Sequence, residues 1–240
     1  MAPLPIDWSR RSTSLEIMDG DGLDYAEYGA CMHDLSWVNL FTLAHRPTLR
    51  FLERLRRERR LPVGRPLEIL DVGFGYGDML RAIDRWAQRR GVAVSLTGVD
   101  LNPWAAQTAA VATPTGLPIH WLTGDAYAQP ECDLVISSLF THHLGDAELP
   151  RFLAWSERTA RLGWFVNDLH RHPLAYALFG PLCRVMGWRP IVRLDGLTSI
   201  TRAFTAPDWR ALLAAAGLPE SAVRIRWRLP FRLCLSRVKR

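Results

Sequence analysis

Four histidines fall in two short clusters, Thr141-His142-His143 and His170-Arg171-His172. The second cluster follows directly on Asn167-Asp168-Leu169. Imidazole titrates close to neutral pH, so these side chains are suited to taking a proton from a reacting group. Residues 67–78, LEILDVGFGYGD, offer a different chemistry. Gly73, Gly75 and Gly77 follow an apolar run, and Asp71 stands two residues before the first of them. A glycine turn of this kind lets a ligand approach the backbone and aims the free N–H groups of a helix start at it. The G-x-G-x-G spacing is not the G-x-G-x-x-G of a nicotinamide fingerprint. A phosphate loop would need Lys-Ser/Thr after the last glycine, where Asp78 stands. A carboxylate beside the turn repels a pyrophosphate and suits a cationic group.

These residues must be positioned by regular elements. Strands are expected at 67–72, 95–100, 119–123, 134–138 and 163–167, with helices at 78–90, 103–112 and 148–161. The alternation predicts an α/β fold with a parallel sheet covered on both faces. Ligands of such a sheet lie beyond the carboxyl ends of the strands. That edge carries the glycine turn, Asp100-Leu101, Gly124-Asp125-Ala126, the segment Ser138–Leu144, and Asp168 with His170. Residues 1–30 read as irregular, with a turn at Asp19-Gly20-Asp21-Gly22. Helices are expected at 34–44 and 47–60, with Pro47 in a first helical position. Residues 169–203 interrupt the alternation with an apolar stretch that includes Tyr176 and Phe179. Its place on the ligand edge reads as a lid or pocket wall, and equally as an extra helix packed on the core. Thr205-Ala206-Pro207-Asp208 reads as a capped start of a helix to 216, with Gly217 as its stop. Two strand-like stretches, 223–227 and 231–236, are separated by Pro230. The expected division is a helical cap over 1–66 and a core over 67–240 carrying the 169–203 insert, forming one compact domain.

With 240 residues and 48% hydrophobic content, the chain can bury a sizeable core. No apolar stretch is long enough to span a bilayer, and residues 1–11 lack an apolar signal core. The cysteines at 31, 132, 183 and 234 are widely spaced and form no metal-type pair, so free thiols in a reducing cytoplasm are expected. The net charge of +6 comes almost wholly from arginine. No nucleic-acid motif accompanies it. The basic run 54–60 reads as a solvated helix face, the alternative being weak contact with an anionic membrane surface.

The segment Asp71–Gly77, D-x-G-x-G-x-G, resembles motif I of the class I S-adenosylmethionine (SAM) methyltransferases. Gly124-Asp125-Ala126 resembles that family's G-D-A segment, and Cys132–Ser138 resembles motif IV. The resemblance implies a seven-stranded, mostly parallel sheet of order 3-2-1-4-5-7-6, with SAM as cofactor and S-adenosylhomocysteine as product. It implies ribose binding by Asp100, with Leu101 against the adenine. Asp125 and the Ala126 N–H would bind the base, and Asp133 would be structural. Asp71, Gly73, Gly75 and Gly77 would bind SAM, as would Ser138, which borders the methyl-transfer site. Read without the family, Asp100 is a helix N-cap and Gly-Asp-Ala a common loop. A catalytically silent SAM-fold subunit is the competing class.

Methyl transfer is an in-line displacement, so an enzyme must aim the acceptor lone pair and remove its proton. His143 is the first choice for the base, with His142 and His170 in reserve. Acceptor contacts are expected from Phe140, Asp168, Tyr176 and Phe179. No metal is expected, because Ser138 and Leu139 stand where catechol-type enzymes carry their first acid. Ile17-Met18-Asp19, residues 167–171 and the insert look like small bacterial methyltransferases of secondary metabolism. That likeness implies O-methylation of a small, largely apolar, aromatic or polyketide hydroxyl compound, with N- or C-methylation of a related metabolite or quinone precursor as the alternative. The expected partner is therefore a small molecule; monomer and homodimer both stay open.

Overall fold

The computed structural model describes residues 6–20 and 22–239. Asp21 of the expected turn, residues 1–5 of the expected cap and the last residue of the core lie outside them. Seven strands form one sheet: β1 (Leu67–Val72), β2 (Val94–Asp100), β3 (Ile119–Thr123), β4 (Cys132–Ser138), β5 (Ala160–Leu169), β6 (Val223–Arg228) and β7 (Arg232–Val238). Their order is β3-β2-β1-β4-β5-β7-β6, with β7 antiparallel to both its neighbours and the other pairs parallel. Fold class and strand order are therefore as the sequence predicts.

The central strands are apolar on both faces. Leu70, Val72, Val135, Trp164 and Val166 point to one side, where they meet α5 (Glu148–Thr159) and α8 (Ala206–Ala215). The alternate residues Ile69, Leu134, Ile136 and Phe165 point to the other. There they meet α2 (Arg46–Arg57) and α3 (Asp78–Arg90). Period-two alternation thus feeds two cores, as a sheet sandwiched by helices requires. Phe51 of α2 stacks on Phe165 at 4.7 Å between ring centroids. α4 (Ala105–Val111) covers β2 and β3.

Several elements depart from their expected bounds. The first helix, α1, runs Tyr25–Phe41, so it starts nine residues earlier than predicted and ends three earlier. The cause is a capping box: the Asp24 side chain accepts from the Glu27 N–H while Glu27 reaches back to the Asp24 N–H. The 169–203 insert is two helices, α6 (Pro173–Val185) and α7 (Pro190–Arg202), each opened by a proline. α7 packs against α1 through Val192, Cys31 and Val38, so cap and insert share a small core of their own. The basic end of α2 is an ion-pair cluster: Arg56, Arg57 and Arg90 converge on Glu53 at 2.9, 3.0 and 3.4 Å. Among the described residues, all four cysteines are free and buried. No described helix is long and apolar enough to cross a membrane.

Asp133, the second residue of β4, has no exposure. Its carboxylate accepts from Arg65 Nη2 at 2.7 Å, Glu68 N at 3.0 Å and Arg161 Nε at 3.2 Å. Burial alone would raise its pKa, but these donors hold it below the usual carboxylate range. Asp133→Ala orphans the Glu68 N–H, while both arginines stay partly solvated. The expected loss is about 1–3 kcal/mol in urea unfolding, with ligand affinity unchanged in the folded fraction.

Candidate active site

The carboxyl ends of β1, β4 and β5, the start of β7, the short N-terminal turn Ile17–Asp19 and helices α1, α6 and α7 meet at one edge of the sheet. They enclose a mainly apolar cavity of about 390 Å³.

Its acidic end is built on β1. Asp71 is the last but one residue of the strand, is buried, and has both carboxylate oxygens without a hydrogen-bond partner. Burial pushes its pKa well above the ordinary value, and the nearby Asp78 and Asp100 push it the same way. A bound positive charge would relieve all three effects. The glycine turn beside it has φ of 71°, 53° and 73° at Gly73, Gly75 and Gly77. A Cβ on Gly73 would overlap the Phe140 ring, so the left-handed backbone and the close approach both require glycine there. Asp78, where a phosphate loop carries lysine, is held by His45 Nε2 at 2.6 Å and Asn39 Nδ2 at 3.0 Å.

Asp100 ends β2 and is tied into the same turn. One oxygen accepts from the Gly75 N–H at 3.0 Å and the other from the Asn102 N–H at 2.9 Å. A carboxylate has about four acceptor sites, so two remain for a diol. Leu101 beside it is 74% exposed, an apolar side chain open to a ligand face. Asp125 accepts from the Tyr127 N–H at 2.9 Å, and Ala126 packs on the core. Asp100, Leu101, Asp125 and Ala126 lie along the edge at the ends of β2 and β3, outside the enclosed cavity. Asp71, Gly73, Gly75 and Ser138 line the cavity itself. Gly77 packs against Trp121 instead. These residues fit SAM: an unpartnered carboxylate for its charged end, a backbone cradle, and a free acceptor for its ribose.

At the acceptor end, β4 closes with Leu139 in the left-handed region (φ 57°), and a tight turn carries Thr141, His142 and His143. His142 is buried, with Nδ1 at 2.7 Å from Asp168 Oδ1. Asp168 also accepts from the His142 N–H at 3.1 Å, the Leu169 N–H at 2.7 Å and the Thr141 hydroxyl. Burial opposes ionisation of Asp168, yet His142 and these donors outweigh it and hold the pKa at about 2. His143 is partly exposed, with Nδ1 at 3.0 Å from Asp19. The two Nε2 atoms face one carboxyl, Glu16, at 3.7 and 3.8 Å. Burial raises the Glu16 pKa to about 7, against the lowering effects of His143 and the Ser199 hydroxyl. Donor atoms of Glu16, His142 and His143 lie within 4.8 Å of one another.

Glu16 was invisible in the sequence. It reaches the histidines because Asp195 of α7 accepts from the N–H groups of Ile17 and Met18 at 2.8 and 2.9 Å, across 178 and 177 residues. Three expected acceptor contacts are corrected. Phe140 packs on Gly73 and Phe152 rather than facing the cavity. Asp168 lies fully buried behind His142. Tyr176 turns away and meets Trp8 edge-on at 5.8 Å between centroids. Phe179 does line the cavity, as do His142, His143 and, on another wall, His170.

Residues 69–163 match the family model described as a methyltransferase domain. No curated protein matches the sequence. Among solved structures, the chain is similar to human N-acetylserotonin methyltransferase in complex with SAM, at 16% identity and a TM-score of 0.59. The match covers 90% of this chain and 56% of that one. It is similar to magnesium protoporphyrin IX methyltransferase from Synechocystis with bound S-adenosylhomocysteine, at 18% identity and a TM-score of 0.53, over 93% of this chain and 91% of that one. An O-methyltransferase family protein from Burkholderia thailandensis matches at 12% identity and a TM-score of 0.58, over 92% of this chain and 61% of that one. Against the first and third of these, the chain spans less than two thirds of the other protein's length. The strand order and these structures give the chain the class I methyltransferase fold, and residues 69–163 within it match a methyltransferase domain.

Proposed function

We propose that this chain transfers a methyl group from SAM to the hydroxyl of a small, largely apolar, aromatic or polyketide-type compound. The observation that carries the reading is the buried Asp168–His142 pair on the wall of an apolar cavity that also holds the glycine turn. SAM supplies a methyl group on a positively charged sulfur. Asp71 meets the ammonium of its amino-acid end, and the turn and Asp100 fix the nucleoside end. The acceptor lies among Phe179, Leu178, Leu139 and Met32, with its hydroxyl toward His142 Nε2. Asp168 fixes the ring and its tautomer, so Nε2 is the nitrogen that takes the proton. Glu16 stands next to that nitrogen and can receive the proton in turn.

Position along the chain favours His143 as the base, whereas side-chain geometry favours His142. His142 has the buried, charged orienter that a general base needs, whereas Asp19 behind His143 is one-third exposed. The likeness to the O-methyltransferase family protein from Burkholderia thailandensis supports oxygen as the acceptor atom.

The test is incubation with labelled SAM and a panel of phenols, naphthols, anilines and quinone precursors, read by mass spectrometry of the product, with and without EDTA. A methylated hydroxyl compound, formed equally in both, is expected. Methylated anilines or ring carbons would move the reaction to nitrogen or carbon. Loss of activity in EDTA would reassign Glu16, His142 and His143 as a cation site.

A further inference from the structure

Arg232 opens β7 beside the carboxyl end of β5, where it pairs with Leu169 across the ladder. It is 2% exposed and lines the acceptor cavity. Nη2 donates to the Thr42 hydroxyl at 3.1 Å, but Nε and Nη1 have no partner. A buried guanidinium keeps its charge, and burying one without a counter-ion is costly. Among the described residues no carboxylate lies within ion-pair distance of it. The nearest acidic influences are Cys234 and Asp168. The Cys234 thiol is pushed by burial to about 12 and is neutral, and Asp168 is saturated by His142, Thr141 and Leu169. On the same cavity, His170 has a buried Nδ1 that is also unpartnered.

We propose that Arg232 is the anchor for a carboxylate on the methyl acceptor, with His170 as a second polar contact. Resting on the methyl-transfer reading above, this narrows the substrate class to apolar hydroxy acids. The parallel N–H groups of Nη1 and Nη2 suit a planar carboxylate end-on, and Nε is a further free donor beside them. The rest of the wall, including Phe231, Leu178 and Phe179, suits a ring or chain. SAM also has a carboxylate, but its ammonium sits on the same carbon, and Asp71 marks that end of the site. Strand β7 is three strands from β1 in the sheet. At ~4.8 Å per strand the two backbones stand roughly 14 Å apart, and the S-adenosylhomocysteine affinity of Arg232→Gln decides between the two carboxylates.

The test uses the full chain saturated with S-adenosylhomocysteine and calorimetric titration with 1-naphthoate and its neutral isostere 1-naphthamide. Naphthoate should bind about 10–100-fold tighter, the range of a charge-assisted hydrogen-bond pair. In Arg232→Gln that preference should vanish with S-adenosylhomocysteine affinity unchanged, and Arg232→Lys should restore part of it. Equal binding of the two probes by the wild type, or a preference that survives Arg232→Gln, overturns the proposal. A tenfold loss of S-adenosylhomocysteine affinity in Arg232→Gln assigns the guanidinium to the cofactor instead, which also overturns it. Should Arg232→Gln fail to fold, the comparison of wild type with Arg232→Lys decides: an unchanged ratio refutes the bidentate pair. Because binding is measured without turnover, a carboxylate preference with no methylation of 1-hydroxy-2-naphthoate would count against methyl transfer to such acids while leaving the anchor intact.

Discussion

His142→Ala should lower kcat about 10²–10⁴-fold, the usual worth of a general base, while SAM affinity stays nearly intact. A phenol is mostly protonated at neutral pH, its pKa being about 10, so the missing imidazole leaves that proton in place during attack. An acidic nitrophenol, already ionised, should recover most of the loss. His143→Ala should cost less than about tenfold, below the general-base range. If instead His143→Ala is the more damaging variant, the base is His143. Asp168→Asn should approach His142→Ala in rate, because the amide offers an N–H where the imidazole Nδ1–H needs an acceptor. The same variant has a stability signature. The Asp168 pKa is depressed from 3.8 to about 2 in the folded chain. Its contribution is therefore complete above pH 4 and lost as pH falls toward 2, worth about 2 kcal/mol. The stability gap between wild type and Asp168→Asn should narrow across that window in denaturant titrations.

Asp100→Ala should weaken SAM binding about 10–100-fold in calorimetry, as expected for charge-assisted hydrogen bonds to a diol. The loss has two sources. The ribose loses its acceptor, and the Gly75 N–H loses the carboxylate that fixes the turn. Asp100→Asn keeps one acceptor oxygen and should fall between. Wild-type affinity in Asp100→Ala would take Asp100 out of the site and leave it as a cap on the Asn102 N–H.

The cofactor half of the site was legible in the sequence because its parts are local. Asp71 and the three glycines span seven residues, and Asp100 and Asp125 each end or follow a strand whose pattern is plain. Strands β1 and β3 and helix α3 fall at the predicted residues. The start of α1 was missed although Asp24 and Glu27 carry a capping-box spacing, because the apolar pattern that follows is weak. The acceptor half resisted reading for a different reason. Glu16, Asp195, His142 and Arg232 lie far apart in sequence and meet only through tertiary packing. Tyr176 and Phe179, one turn apart on α6, could not be told apart by pattern. The structure sends one to Trp8 and the other to the cavity.

The pinning of Ile17 and Met18 by Asp195 has a consequence for how this protein can diversify. The cofactor half is one continuous stretch on rigid strands, whereas the acceptor half is a patchwork of the N-terminal turn, the strand-end loops and the paired helices. Changes in α6 or α7 can reshape what is methylated without disturbing what supplies the methyl group. Asp195 and Ser199 are the exceptions, since together they hold the N-terminal turn and the Glu16 carboxyl against both histidines. Exchange of the insert between relatives should therefore succeed only when the N-terminal turn travels with it, the two behaving as one inherited unit.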